Sequence, residues 1–400
     1  MFALLVPVFL ALVACAANVN AATGSVALGS MRQTIQGFGG SSAWMGAMTD
    51  AQMNTLFGNG NNNQYGLSLL RLRIDPGKSW ANELSNAQKA GARGAQVFAT
   101  PWSPPASMKS NNNVVGGSLN TASYGAYAAY LKSFVDYLKA GGVSLYAISV
   151  NNEPDITVTY ESCDWTAAQL VNFVKNYGSA VGTKLIAAES FKFNKALTDP
   201  ILSDSSAVSQ VSIIAGHIYG SGLADYSSAQ NKGKQVWMTE HYNAGFDWTS
   251  MMATAKEIHD AMTVASYNAY VWWWFVDLNN EFTSLTDKSG NPTKRGYIMA
   301  QWSKYIRPGY TRVDATYQPT TNVFLSAYKS GSKVVLVAVN TGSSAVSQTF
   351  SLSGGTIPAS FTPHITSSSK SLSNEASVSV KSGAFTYSLP GQSVTTFVSN

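Results

Sequence analysis

Two glutamates at the ends of short apolar runs are the residues best placed to do chemistry. Glu153 ends the run Leu145–Glu153, and Glu240 lies near the end of the run Gln235–His241. If both runs are strands of one closed parallel barrel, their carboxyl ends meet at the same mouth. Two carboxyl groups about 5–5.5 Å apart, one protonated and one ionised, cleave a glycosidic bond with retention of configuration. The pair is therefore a candidate for glycoside hydrolysis.

Polar residues near this pair fit the same chemistry. Asn152, beside Glu153, is able to donate a hydrogen bond to a sugar 2-hydroxyl. Arg71, Arg73 and Asp75 alternate with apolar residues, which predicts one charged strand face inside the barrel. Because a nearby cation lowers the pKa of a carboxyl group, Arg73 is predicted to keep the nucleophile ionised. The alternative is that both glutamates only pair with these arginines.

Further candidates near the strand ends are aromatic or histidine side chains. Aromatic faces stack on sugar rings, although they fill cores equally well. Trp272 and Trp274 share one strand face and Trp273 lies on the other, so all three are not expected to line one cleft. His217 is expected to be a hydrogen-bonded wall residue near the nucleophile, and Glu189 is a rival catalytic carboxyl. The predicted sugar-contacting aromatics are Trp44, Trp102, Tyr219, Tyr242 and Trp272.

The elements that must position these residues alternate between apolar runs and helical patterns. Eight strand–helix units in about 270 residues are typical of an α/β fold of the TIM-barrel type, a (β/α)8 barrel. An open doubly wound sheet is the alternative, but Gly58-Asn59-Gly60 lacks the third glycine of a phosphate-binding turn. One helix is predicted over Lys195–Ser209. The predicted strands are Ile35–Gly40, Leu67–Ile74, Ala95–Pro101, Leu145–Glu153, Lys184–Ser190, Ser212–Tyr219, Gln235–His241 and Ala269–Val276.

A second domain follows the predicted catalytic barrel, which covers residues 35–306. Strand-like pieces separated by turn residues predict an antiparallel β-sandwich over residues 307–400. Residues 23–34 also alternate and are predicted to add a strand to this side domain. The side domain is expected to buttress the barrel, with sugar binding as the alternative. Its predicted strands are Val323–Tyr328, Val334–Val339, Val346–Leu352, Ala376–Val380, Phe385–Leu389 and Val394–Val398.

The composition limits the classes of protein that remain. The chain has 400 residues, of which 45% are hydrophobic and 12% charged, so it forms a large core and is unlike a disordered chain. Its net charge of +5 is scattered, which argues against a nucleic-acid partner. The four histidines show no metal-ligand spacing. We expect no cofactor and no metal, and we expect a monomer.

The N-terminal segment predicts export. Residues 1–22 form an apolar run followed by small residues, the pattern of a signal peptide, although no basic residue lies near the start. The chain is therefore expected to be secreted. The alternative is a lipoprotein signal, Leu12-Val13-Ala14-Cys15, which would anchor the chain at Cys15. No later run approaches the roughly 20 apolar residues of a membrane helix, so no other membrane contact is expected.

Short stretches spread in register over residues 24–400 match one enzyme family. They include Thr34-Ile35-Gln36-Gly37-Phe38-Gly39-Gly40, Arg71-Leu72-Arg73-Ile74-Asp75, Thr100-Pro101-Trp102-Ser103-Pro104-Pro105, Ser149-Val150-Asn151-Asn152-Glu153-Pro154, Thr239-Glu240 and Arg307-Pro308-Gly309-Tyr310. By these stretches the chain resembles glycoside hydrolase family 30, most of all its bacterial-type xylanase subfamily. The resemblance implies a barrel with a tightly associated β-sandwich and a retaining endo-β-1,4-xylanase. It also implies that Glu153 is the acid/base and Glu240 the nucleophile.

One departure from the resemblance concerns the substrate. The family's glucuronoxylan-specific members carry an arginine pair just after the Trp-Trp of strand eight, and here Val276 and Asp277 stand at that place. Loss of a bidentate arginine removes a contact worth about 1.5–3 kcal/mol. We therefore expect cleavage of xylan without a requirement for glucuronate. The alternatives are another β-glycan or glucosylceramide as substrate, or a non-catalytic xylan-binding protein.

Overall fold

The structure is a computed structural model that describes residues 22–221, 223–276 and 283–400. Residues 1–21, which hold Cys15 and nearly all of the predicted signal peptide, lie outside the described residues. Asp277 also lies outside them. In the part of the chain that is described, none of the helices has the length and hydrophobicity of a membrane span.

Eight parallel strands close into a barrel, which confirms the predicted fold class. The first strand that the structure describes, β1 (Gly24–Thr34), belongs to the side sheet instead. Two of the barrel strands have the predicted bounds, Lys184–Ser190 and Gln235–His241. The barrel strands are β2 (Gly37–Ser41), β3 (Leu69–Ile74), β4 (Gln96–Pro101), β5 (Leu145–Ser149), β6 (Lys184–Ser190), β7 (Val211–His217), β8 (Gln235–His241) and β9 (Ala269–Trp274).

The helices that connect these strands are α1 (Asp50–Phe57), α2 (Ala81–Gly91), α3 (Tyr124–Ala140), α4 (Ala167–Tyr177), α5 (Lys195–Ser203), α6 (Ser205–Gln210), α7 (Ser227–Gln230), α8 (Trp248–Thr263) and α9 (Lys294–Ser303). The single helix predicted over Lys195–Ser209 is wrong, since α5 and α6 are separate. Asp204 interrupts the pattern with an extended backbone, and its carboxylate accepts hydrogen bonds from the backbone N–H groups of Ser206 and Ala207. An N-cap of this kind begins a new helix.

The barrel interior changes from apolar to charged along the strand direction. Leu69, Phe98 and Trp237 belong to one fully buried apolar cluster, and the last two rings pack edge to face at 5.4 Å. Two residues beyond Leu69 on the same strand face lies Arg71, which bonds Glu240 across the barrel. The apolar layer therefore closes the barrel beneath a polar mouth.

The side domain is a ten-stranded, mostly antiparallel sheet in which β1 pairs with strands from the C-terminal quarter of the chain. Phe385 contacts Phe361 at 5.2 Å and Phe397 at 5.3 Å, so the two ends of the sheet fold over one another as two layers. The other strands are β10 (Thr311–Ala315), β11 (Val323–Ser330), β12 (Lys333–Asn340), β13 (Val346–Ser353), β14 (Ser360–Thr366), β15 (Ser373–Asn374), β16 (Val378–Ser379), β17 (Ala384–Leu389) and β18 (Ser393–Ser399).

Helices α8 and α9 join the barrel to this sheet. Gln301 on α9 donates a hydrogen bond to the Thr366 hydroxyl at 2.7 Å, and the Thr396 hydroxyl donates to the Gln301 carbonyl at 2.8 Å. On α8, the buried His259 ring packs against Tyr317 and Phe324 at centroid distances of 5.1 and 5.7 Å. We call these contacts the joint.

Candidate active site

Arg71 is the centre of the polar network at the barrel mouth. Its guanidinium is fully buried and donates to Glu240 at 2.5 Å and to the Asn152 side-chain oxygen at 2.7 Å. It also forms an ion pair with Glu189 at 3.3 Å and lies 4.6 Å from the centre of the Trp102 ring. Burial lowers the pKa of Arg71, but Glu189 and Glu240 raise it more. A permanent cation therefore sits beneath the predicted catalytic pair.

Both carboxylate oxygens of Glu240 accept hydrogen bonds. Arg71 donates to Oε2, and the Tyr219 hydroxyl donates to Oε1 at 3.0 Å. Donors of this kind favour the ionised carboxylate. The net shift nevertheless raises the pKa of Glu240, because burial is the largest cause; His217 and Arg71 lower it, and Glu153 raises it further.

Glu153 lies across from Glu240 and is held by its own partners. Its Oε1 lies 2.8 Å from Nδ1 of His217, and its Oε2 accepts hydrogen bonds from Asn152 at 3.3 Å and from the Tyr160 hydroxyl at 3.4 Å. The Glu153 backbone has a φ of 42°, and its N–H donates to the Glu189 carbonyl. A non-glycine residue in this region is strained, which is common where a side chain must be aimed precisely at a site.

His217 links the two predicted catalytic carboxyls. Its Nδ1 is also 3.9 Å from Glu240, so ligand atoms of Glu153, His217 and Glu240 all lie within 4.8 Å of one another. Burial lowers the pKa of His217, but Glu240, Glu153 and Glu189 raise it to about 9. The histidine is therefore a cation at neutral pH. Three such ligand atoms could hold a metal ion, but Arg71 and protonated His217 already supply the positive charge there.

The rival carboxyl, Glu189, lies deeper than the pair. It is fully buried, accepts a hydrogen bond from the Thr100 hydroxyl at 2.8 Å and pairs with Arg71. Burial raises its pKa, but Arg71 and His217 lower it to about 2. Arg71 and His217 thus face three carboxyl groups in one buried cluster.

An aromatic pocket of about 460 Å³ opens above the two glutamates. Of the predicted sugar-contacting residues, Trp44, Trp102, Tyr219 and Tyr242 line it. Sequence reasoning missed four others, although Phe191 directly follows the end of β6 and Tyr160 lies in the loop after Glu153. The full lining is Trp44, Trp102, Glu153, Tyr160, Phe191, Tyr219, Glu240, Tyr242, Trp273 and Trp274.

The structure corrects the prediction for Trp272. This side chain is fully buried and donates its indole N–H to the Thr283 carbonyl, so it offers no face to a sugar. Trp273 and Trp274 line the pocket instead, with their rings stacked at 5.2 Å. The reason is a register shift, because Gly40 pairs with Trp272 and the next residue, Ser41, pairs with Trp274. The extra residue breaks the alternation on which the prediction was based.

The structure also corrects the role predicted for Arg73. Arg71, not Arg73, contacts Glu240. Arg73 lies nearer the mouth, where it bonds Glu161 and Asp75. Val276, one of the two residues in place of the arginine pair, is buried just after the end of β9.

Comparisons with known proteins agree with this geometry. Residues 43–238 match the family model "Glycosyl hydrolase family 30 TIM-barrel domain". The chain is 39% identical over 393 residues to glucuronoxylanase XynC of Bacillus subtilis, covering 94% of this chain and 91% of the relative.

Two solved structures are similar over nearly the whole chain. The family 30 subfamily 8 xylanase Xyn30A of Clostridium acetobutylicum is 46% identical with a TM-score of 0.90, covering 94% of this chain and 99% of that one. A family 30 endoxylanase of Clostridium papyrosolvens C71 is 43% identical with a TM-score of 0.88, covering 94% and 100%. The chain belongs to glycoside hydrolase family 30.

Proposed function

We propose that this chain hydrolyses internal β-1,4-xylosidic bonds of xylan with retention of configuration. The observation that carries the proposal is the approach of Glu153 and Glu240, whose nearest ligand atoms lie within 4.8 Å. A retaining pair is about 5–5.5 Å apart, whereas an inverting pair needs about 6.5–9.5 Å to admit a water molecule. The relatives described as xylanases support xylan as the substrate.

In the first step Glu240 attacks the anomeric carbon while Glu153 protonates the departing oxygen. Arg71 and Tyr219 hold the attacking carboxylate, and the bond to the sugar removes its negative charge. In the second step Glu153 takes a proton from water, which attacks the glycosyl-enzyme intermediate and releases Glu240. His217 lies beside both carboxyls as a cation and balances the charge that moves between them.

We propose further that the enzyme does not require a glucuronate branch. Val276 has an apolar side chain, so it has no charge-assisted contact to offer a sugar carboxylate. The test compares the products from glucuronoxylan and from unbranched xylan. Similar rates and mixed cut positions are expected, whereas a single cut placed relative to every glucuronate would contradict the proposal.

A substrate panel separates this function from the alternatives. A reducing-sugar assay on xylan, a β-1,6-glucan and glucosylceramide should give activity on xylan alone. If only another substrate is hydrolysed, the chain has a different family 30 activity and the xylanase proposal is wrong. Binding to xylan without any released reducing sugar would favour the non-catalytic reading.

We also propose that the chain is secreted and acts as a monomer. A polymeric substrate that does not enter cells supports export, and the pocket is built by residues of one chain. Sequencing the N-terminus of protein from the culture medium should find a start near Ala22, and size exclusion should give a mass near 40 kDa, about that of the 42.6 kDa chain without its signal. A lipid-modified Cys15 would support the anchored alternative.

A further inference from the structure

Arg73 does not contact the two glutamates, but it contacts several residues around the pocket. Its Nε donates to Glu161 Oε2 at 2.9 Å, and its Nη2 donates to the other oxygen of the same carboxylate, so the pair is bidentate. Nη2 also donates to Asp75 at 2.8 Å. The guanidinium carbon lies 5.0 Å from the centre of the Trp44 ring. One side chain on β3 thus touches three other segments of the chain.

Two of these segments carry walls of the pocket. Trp44 follows β2, lines the pocket and is 38% exposed, with a strained backbone φ of 59°. Glu161 is the neighbour of Tyr160, which also lines the pocket and whose hydroxyl contacts Glu153. Arg73 therefore lies behind two exposed aromatic walls that belong to different loops.

The third segment holds Arg73 itself in place. The Asp75 carboxylate accepts hydrogen bonds from the backbone N–H groups of Gly77 and Ser79. Its backbone carbonyl accepts hydrogen bonds from Tyr130 and Trp80 at 2.7 and 2.9 Å. Because the Asp75 carboxylate is held by these hydrogen bonds, it fixes the position of the Arg73 guanidinium. The Arg73 side chain is only 12% exposed.

We infer that Arg73 is a positioning residue that braces the Trp44 and Tyr160 walls at the spacing which grips the polysaccharide chain. The inference rests on the proposed function and deepens it. Arg73 bonds neither Glu153 nor Glu240 among the described contacts, so it acts on the position of the walls and not on the reacting atoms. Arginine suits the role because its planar fork bonds a carboxylate at two points and stacks on an aromatic ring.

This role predicts a split between kinetic constants. The walls contact sugar units in the ground state and the transition state alike, so loosening them weakens uniform binding. For Arg73→Gln we expect KM on polymeric xylan to rise about tenfold, while kcat changes less than about threefold. Arg73→Lys should recover only part of the loss, since lysine has no bidentate fork.

The experiment is a double-mutant cycle with Arg73→Gln, Glu161→Gln and the combined variant. If the pair acts as one brace, Glu161→Gln adds little once Arg73 is replaced, so the combined variant has about the KM of Arg73→Gln. Arg32→Gln is the matched control, because Arg32 holds Asp314 in the same bidentate way within the side sheet, at 2.5 and 2.7 Å. Its KM should equal that of the wild type.

The outcomes separate the brace from the proposed function. If the wild type does not hydrolyse xylan, the proposed function fails and the brace fails with it. If the wild type is active but the variants keep its KM, or show additive effects, or lose kcat alone, only the brace is overturned. Full recovery by Arg73→Lys would also overturn it. Should Arg73→Gln fail to fold, Glu161→Gln carries the same test, because it removes the same bidentate contact.

Discussion

The floor of the pocket and the joint each contain a fully buried histidine, and the two regions treat it in opposite ways. The floor consists of Arg71, Glu153, Glu189, His217 and Glu240. On the floor, carboxylates surround His217 and raise its pKa to about 9. At the joint, burial is the largest cause that lowers the pKa of His259 to about 3, and the nearby cations Lys256 and Arg312 add to the shift. Neither ring nitrogen of His259 has a hydrogen-bond partner among the described residues.

The difference shows that burial alone does not decide the charge of a side chain. Desolvation lowers the pKa of both histidines, and only the anionic partners on the floor reverse it. The floor therefore holds its histidine charged among carboxylates, whereas the joint holds its histidine uncharged and contributes packing. Substitutions on the floor should change activity most, and those at the joint should change stability alone.

The largest expected effect separates the regions by activity. Glu240→Gln removes the proposed nucleophile and should lower kcat on xylan about 10⁴-fold or more. Glu153→Gln removes the proposed acid/base and should lower kcat about 10²–10⁴-fold. A reducing-sugar assay measures both, with thermal unfolding as the control for folding. If Glu240→Gln kept its activity, the claim that the floor carries the chemistry would be wrong.

A smaller effect tests whether the Glu189 carboxylate, the deepest charge on the floor, also stabilises the fold. Glu189→Gln leaves Arg71 and His217 with one anion fewer, so we expect a loss of about 3 kcal/mol in the free energy of unfolding at pH 7. Because the pKa of folded Glu189 is about 2, below the usual 4.5, its contribution is complete above pH 4.5 and lost as the pH falls toward 2. Denaturant unfolding should therefore show a gap between wild type and variant that narrows in acid. A gap that is independent of pH would contradict the assigned charge.

The smallest effect belongs to the joint. Unfolded His259 binds a proton below about pH 6.5, but the folded ring does not until about pH 3, so acid destabilises the wild type. At pH 5 this costs about 2 kcal/mol. His259→Leu should be more stable than the wild type at pH 5 by that amount, with little difference at pH 8 and unchanged kcat. Urea unfolding at pH 5 and pH 8 measures this difference. If the free energy of unfolding falls equally in acid for the two proteins, the prediction is wrong.

Much of the fold could be predicted from the sequence, because apolar runs and helix periods repeat eight times. The bounds of β6 and β8 agree with the prediction, which placed Glu240 at the mouth. The side sheet was harder to predict. β10, β14 and the two-residue β15 were missed, and β14 contains Pro363, a residue that argues against a strand.

The errors at the site arose because the alternation of side chains along a strand does not determine how neighbouring strands pair. Arg71 and Arg73 share one strand face, so alternation alone does not tell which arginine lies at the depth of Glu240. That depth depends on how far the strands are staggered in the barrel. The bulge beside Trp273 likewise follows from the pairing of β9 with β2, and nothing in the sequence of three tryptophans marks it.

The most direct test of the central claim traps the covalent intermediate. A 2-deoxy-2-fluoro xylobioside with a good leaving group should form a glycosyl-enzyme that breaks down slowly. Peptide mapping by mass spectrometry then locates the sugar. We predict one adduct, on the side chain of Glu240. An adduct on Glu153 or Glu189 would contradict the account.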